Sequence, residues 1–86
     1  MRSLQYDIRA IVQKRLDRIE RGVLGDYKPV GEGVMEFRIH DGPGYRLYAG
    51  FLGNAVIVLT GSDKSQQERT IPIAKALWRE FKQRMT

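Results

Sequence analysis

The strongest constraint on the fold is a change of hydrophobic period along the chain. Apolar residues recur at every second position between about residues 34 and 52, and at every third or fourth position near both ends. Period two belongs to a strand with one buried face, and period 3.6 to a helix with one buried stripe. Over residues 34–40, Met35, Phe37 and Ile39 share one face, with Glu36, Arg38 and His40 on the other. Over residues 45–51, Tyr45, Leu47, Ala49 and Phe51 alternate with Arg46 and Tyr48. Asp41, Gly42, Pro43 and Gly44 form a turn between these runs. Gly53 and Asn54 are a two-residue hairpin signal. Residues 55–60 are nearly all apolar, which predicts a strand covered on both faces. Short connections make the three strands, near 34–40, 44–51 and 54–60, an antiparallel meander.

Helical spacing frames the meander. Leu4, Ile8, Ile11, Val12, Leu16 and Ile19 predict a helix over residues 4–21, capped by Ser3 and stopped by Gly22. Its wet face carries Arg9, Lys14, Arg15, Asp17, Arg18, Glu20 and Arg21. Ala74, Leu77, Trp78, Phe81 and Met85 predict a second helix over 71–84. Thr70 caps it, which places Pro72 in the first turn, where a missing N–H costs nothing. Ser65 and Glu68 have the spacing of a capping box, but a helix begun there meets Pro72 in its interior. The glycines of residues 22–33 predict a loop. That loop lacks the glycine–lysine spacing of a phosphate-binding P-loop, and no strand precedes it. The expected fold is α+β: N-terminal helix, three-stranded antiparallel meander and C-terminal helix, in a single domain over residues 1–86.

Several function classes are excluded. The chain has no cysteine, so disulfide frameworks and cysteine-ligated metal clusters are ruled out. A single histidine rules out sites needing two imidazoles. No apolar run approaches the roughly 20 residues needed to cross a bilayer, and the N-terminus lacks an apolar signal core. A cytoplasmic location is expected. Lys and Arg number 15 against 10 Asp and Glu, a formal charge of +5. In a domain this small the excess points to a polyanionic partner, nucleic acid or acidic protein, rather than to solubility alone.

The polar face of the meander carries the chemistry. With the apolar positions turned toward the helices, Glu36, Arg38, Arg46 and Tyr48 share an open face that Lys64 and Arg69 can reach. Guanidinium forks bind phosphates and an aromatic ring stacks a base. A cross-strand salt bridge of Glu36 with Arg38 or Arg46 is the plainer reading of the same residues. His40 reads as a surface histidine rather than a general base, because the only carboxylate near it in sequence is Asp41.

These residues also carry a resemblance. Residues 25–34 (GDYKPVGEGV), the run Glu36-Phe37-Arg38-Ile39-His40, the segment Gly42-Pro43-Gly44-Tyr45-Arg46-Leu47-Tyr48, and residues 61–69 (GSDKSQQER) resemble the HigB-like addiction-module killer branch of the RelE/ParE toxin superfamily. The likeness spans roughly residues 8–80. It implies a small α+β toxin of a type II toxin–antitoxin pair, acting as an endoribonuclease on mRNA in the ribosome without metal or cofactor. Its implied partners are the ribosome with its mRNA and an antitoxin, often of helix-turn-helix type; no membrane is involved. By position, Arg46, Arg38, Tyr48 and Lys64 match the catalytic set, and Lys28, Tyr45 and Arg69 the RNA-binding set. Relatives usually have a strand before the position of Leu4, so one strand of the sheet is expected to be absent and an uncovered edge to favour association with another chain, including a second copy. Relatives also carry a catalytic Tyr or His near the C-terminus, and none follows Thr70 here. A shortened, non-catalytic toxin that binds only its antitoxin, and a gyrase-directed toxin of the ParE kind, are the alternatives.

Overall fold

The computed structural model describes residues 2–40 and 44–85, with the side chains of the first helix from Ala10 onward. The expected turn at 41–43 and the apolar side chains of Leu4 and Ile8 lie outside the described residues. Helix α1 runs Arg2–Glu20, followed by strands β1 (Tyr27–Gly31), β2 (Val34–Arg38), β3 (Arg46–Leu52) and β4 (Ala55–Ser62). A short 3-10 turn, Lys64–Gln66, leads into helix α2, Gln67–Met85. The strands form one antiparallel sheet in the order β1-β2-β3-β4. The α+β class therefore holds, with four strands instead of three.

The added strand, β1, lies within the expected loop. Tyr27 pairs with Phe37, Lys28 with Glu36 and Pro29 with Met35, and a bulge follows between Pro29 and Gly31. An edge strand tolerates proline. Of the loop's glycines, Gly31 and Gly33 belong to the hairpin, where Glu32 (φ 56°) and Gly33 (φ 84°) both adopt the left-handed conformation that a tight two-residue turn demands. Glu32 is steadied there by the Arg79 guanidinium.

Gly22 stops α1 as expected: its φ is +88°, the Val23 N–H reaches the Arg18 carbonyl at 2.8 Å, and its own N–H reaches Ile19 at 3.0 Å, a Schellman closure. Ser3 lies inside the helix, not at its cap. Helix α2 begins earlier than Thr70. The Asp63 carboxylate accepts from the N–H groups of Ser65 and Gln66 at 2.9 and 3.2 Å, which starts the 3-10 turn that α2 continues. Thr70 is in the helix, its hydroxyl donating to the Gln66 carbonyl at 2.8 Å. Pro72 is interior, and offers no N–H to the carbonyl four residues back.

Both faces of the sheet are covered. On one, Ile19, Phe37, Ile39, Leu47 and Ala49 are buried with Ile11, Val12 and Leu16 of α1 packed against them. On the other, Val34 and Tyr48 are buried with Ala74 and Trp78 of α2, flanked by Ile71 and Phe81. The face expected to be open is thus the seat of α2. Leu77 and Met85, expected on the apolar stripe, are exposed. Strand β4 is an edge strand with partly exposed residues, not one covered on both faces. Its apolar side chains serve both cores: Val56 joins the α1 side, Ile57 and Leu59 the α2 side. No helix of the described residues is long and apolar enough to cross a membrane.

Candidate functional site

The polar row of the meander runs from a buried centre to an open rim. Glu36 pairs with Tyr48 across β2 and β3, and Arg38 with Arg46 one step toward the strand ends. Glu36 and Tyr48 are 0% exposed. The Tyr48 hydroxyl donates to Glu36 Oε2 at 2.9 Å, and Gln67 Nε2 donates to the same oxygen at 2.7 Å. The other oxygen, Oε1, faces Arg38 Nε at 3.7 Å and Arg46 at 3.9 Å. Oε1 and the Nε atoms of both arginines have no hydrogen-bond partner among the described residues. Like charges directly opposite on neighbouring strands repel, and the Glu36 carboxylate between them offsets that repulsion. The cross-strand ion pairs read from the sequence are present. They form the floor of a site, however, rather than a surface pair.

The Arg46 side chain is 11% exposed and that of Arg38 is half-buried. Together with His40, Tyr45 and Lys64 they line a cleft of about 250 Å³ at the ends of β2 and β3. No described lining residue is acidic. Two guanidiniums against one buried carboxylate leave the floor net positive, and Lys64 adds to it. The charge of the described lining favours an anion in the cleft.

His40 has a carboxylate orienter that its neighbours in sequence do not reveal. Its Nε2 lies 2.8 Å from Asp26 Oδ2, while the ring stays largely exposed. Asp26 is fixed by its own backbone: its carbonyl accepts from the Arg38 N–H at 2.9 Å and from the Arg15 guanidinium at 3.0 Å. Arg15, expected on the wet face, is buried and lies over the Phe37 ring. In the neutral tautomer, whose Nε2–H donates to Asp26, Nδ1 is left as an acceptor.

Of the residues singled out in the sequence, Arg38, Arg46, Tyr45 and Lys64 converge on one cleft. Arg69 lines an adjoining recess that shares Lys64. Tyr48 lies behind the cleft with its hydroxyl on Glu36. Burial pushes its phenol up; the Ser62 hydroxyl pulls it back, and Glu36 raises it further. Tyr48 is therefore a held proton donor rather than a base. Lys28 is exposed on β1 and does not line the cleft. Asp26, Gln67 and Arg15 escaped the sequence reading. Recognising β1 would have found Asp26, since pairing Tyr27 with Phe37 places residue 26 beside 38. The Asp63–Ser65 cap would have placed Gln67 on α2. Among the described residues, no group of three or more His, Asp or Glu side chains is placed to hold a metal ion.

No family model matches the chain, and no solved structure does. An uncharacterized protein of Haemophilus influenzae is 42% identical over 74 residues, which cover 85% of this chain and 75% of that protein.

Proposed function

This chain belongs to the same family as that uncharacterized Haemophilus protein, and we propose that it is an endoribonuclease toxin of a type II toxin–antitoxin pair, cutting mRNA on the ribosome. The observation that carries this reading is the convergence of Arg38, Arg46 and Lys64 on one cleft with no acidic lining among the described residues, beside the Asp26-held His40. The likeness of residues 25–48 and 61–69 to the HigB-like toxins supports it.

The chemistry follows from the cleft. RNA is cut when its ribose 2′-oxygen bonds to the adjacent phosphorus and the P–O5′ bond breaks, giving a 2′,3′-cyclic phosphate and a 5′-hydroxyl. His40 Nδ1 takes the 2′-hydroxyl proton. Arg46 and Arg38, set on the rigid sheet, stabilise the charge that grows on the phosphate oxygens. Lys64, the ammonium among the described lining residues, protonates the leaving 5′-oxygen. Tyr48 and Gln67 act at one remove by holding Glu36, which positions both guanidiniums. Tyr45 offers a ring at the cleft wall for stacking. Arg69 continues the positive surface, and the antitoxin is the partner that closes it.

The test is induction of the protein in growing cells, with primer extension to map cuts in translated message. Wild type is expected to arrest growth and cut. Arg46→Ala is expected to lower cleavage by two to three orders of magnitude, about 3–4 kcal/mol of lost charge stabilisation. Because Arg46 is mostly buried against Glu36, Arg46→Lys is the second variant: it keeps the charge, loses the fork, and is expected to fold yet cleave poorly. Growth arrest without cut message would favour a gyrase-directed toxin. A harmless wild type that still binds an antitoxin would favour the non-catalytic reading.

A further inference from the structure

A second basic recess adjoins the cleft on the α1 side. It holds about 110 Å³ and is lined by Lys14, Arg15, Arg18, Arg38 and His40, with Ile11 and Ile39 behind them. It shares Arg38, Ile39 and His40 with the first cleft, so the two open on either side of one wall. No described residue lining it is acidic, and Asp26, the carboxylate that acts on Arg15, is engaged by His40.

The state of Arg15 sets this recess apart from an ordinary basic surface. Arg15 is 8% exposed. One of its nitrogens bonds the Asp26 carbonyl, but its Nε has no hydrogen-bond partner among the described residues. No salt bridge reaches Arg15, Lys14 or Arg18 among the described residues. Burial and then the neighbouring Arg18 lower the pKa of Arg15, with Asp26 pulling the other way. A buried guanidinium left short of acceptors and crowded by a like charge carries a free-energy cost that an anion would offset.

We propose that this recess is a phosphate subsite, which seats a phosphate neighbouring the one held between Arg46 and Lys64, so that the ligand is a polynucleotide strand engaging two phosphates across the Arg38–His40 wall. Lys14 and Arg18 are the exposed contacts, Arg15 the buried one, and Arg38 and His40 touch both phosphates. The identification of the first cleft as the place of cutting rests on the proposed ribonuclease activity; the second subsite does not.

The experiment titrates the whole chain, followed by NMR, with two RNA fragments: UpU, which has one phosphate, and UpUpU, which has two. Wild type is expected to bind UpUpU roughly tenfold more tightly. The double variant Lys14→Ala/Arg18→Ala changes two exposed side chains. It is expected to bind UpU as wild type does, to lose most of the UpUpU advantage, and to show a log–log salt slope for UpUpU shallower by about 0.7. Lys64→Ala is expected to weaken both ligands. Equal wild-type affinity for the two fragments overturns the proposal, as does undiminished UpUpU binding by the double variant. Loss of UpU binding in the double variant, with its circular dichroism unchanged, also overturns it by merging the two sites. Tight UpUpU binding by a wild type that cuts no message upholds the subsite and sinks the ribonuclease reading alone.

Discussion

Glu36 is a buried carboxylate whose two oxygens have different duties: one accepts from Tyr48 and Gln67, the other faces two arginines. Replacing one member of a buried ion pair leaves the others uncompensated, typically at 3–5 kcal/mol. Glu36→Gln keeps the shape and removes the charge. It is expected to cost about 3 kcal/mol in urea unfolding, the low end because Arg38 is half-exposed and keeps solvent. That is a large share of the 5–15 kcal/mol typical of a small domain. Tyr48→Phe removes one donor to Glu36 and is expected to cost about 1–2 kcal/mol. It also has a pH signature. Since burial pushes the folded Tyr48 phenol above its unfolded value, near 10 for a free tyrosine, the neutral phenol contributes stability that is complete below about pH 10 and is lost as the pH climbs through the raised folded value. Unfolding midpoints measured from pH 8 upward are expected to decline less steeply in Tyr48→Phe than in wild type. Equal alkaline slopes would remove Tyr48 from the account of the buried site.

At the scale of elements, α2 is held to the sheet by a close approach. Gly50, mid-strand in β3, lies under Trp78, and a Cβ there would come within 2.7 Å of the indole ring. Overpacking of this kind costs about 1–3 kcal/mol, so Gly50→Ala is expected to lower the melting temperature and to shift the Trp78 fluorescence as the ring is displaced. An unchanged emission spectrum would place the weight of α2 packing elsewhere. Gly50 also shows what the sequence made legible. The alternation of β2 and β3 was readable because apolar residues of one parity form the α1 core, and their register was implied by the short loop. The opposite parity looked solvent-facing because it carries Glu36, Arg38, Arg46 and Tyr48. A glycine beneath a tryptophan 28 residues away, together with mutual neutralisation of charges, is what lets α2 lie over that row, and neither has a periodic signal. Strand β1 was hidden for another reason. Its proline and its bulge break the alternation, and Val30 is its only partly buried residue. The trio Arg38, Arg46 and Lys64 was therefore visible from sequence, while Asp26 and Arg15, whose placement depends on β1, were not.

At the scale of the whole molecule, the charge of +5 is unevenly spread. Lys14, Arg15, Arg18, Arg38, Arg46 and Lys64 line two neighbouring recesses, without a lining carboxylate among the described residues. Such crowding lowers the stability of the folded state when no anion is bound. An anion that binds only the folded chain therefore stabilises it by RT ln(1 + [L]/Kd), about 1.4 kcal/mol at ten times Kd. For a domain of this size that is on the order of 6–10 °C in melting temperature. Sodium phosphate is expected to raise the melting temperature above sodium chloride at equal ionic strength and pH. Phosphate also strengthens burial in any protein by exclusion from its surface, so the variants carry the comparison. Lys14→Ala/Arg18→Ala is expected to show a smaller phosphate increment than wild type. Adding Lys64→Ala is expected to shrink it again, toward the general effect alone. Arg79→Ala, which removes a cation already paired with Glu32, neither of them lining either recess, is expected to leave the increment unchanged. If all of these variants gain as much from phosphate as wild type, the clustered charge binds no anion, and the recesses are only a consequence of how α1 and the sheet meet.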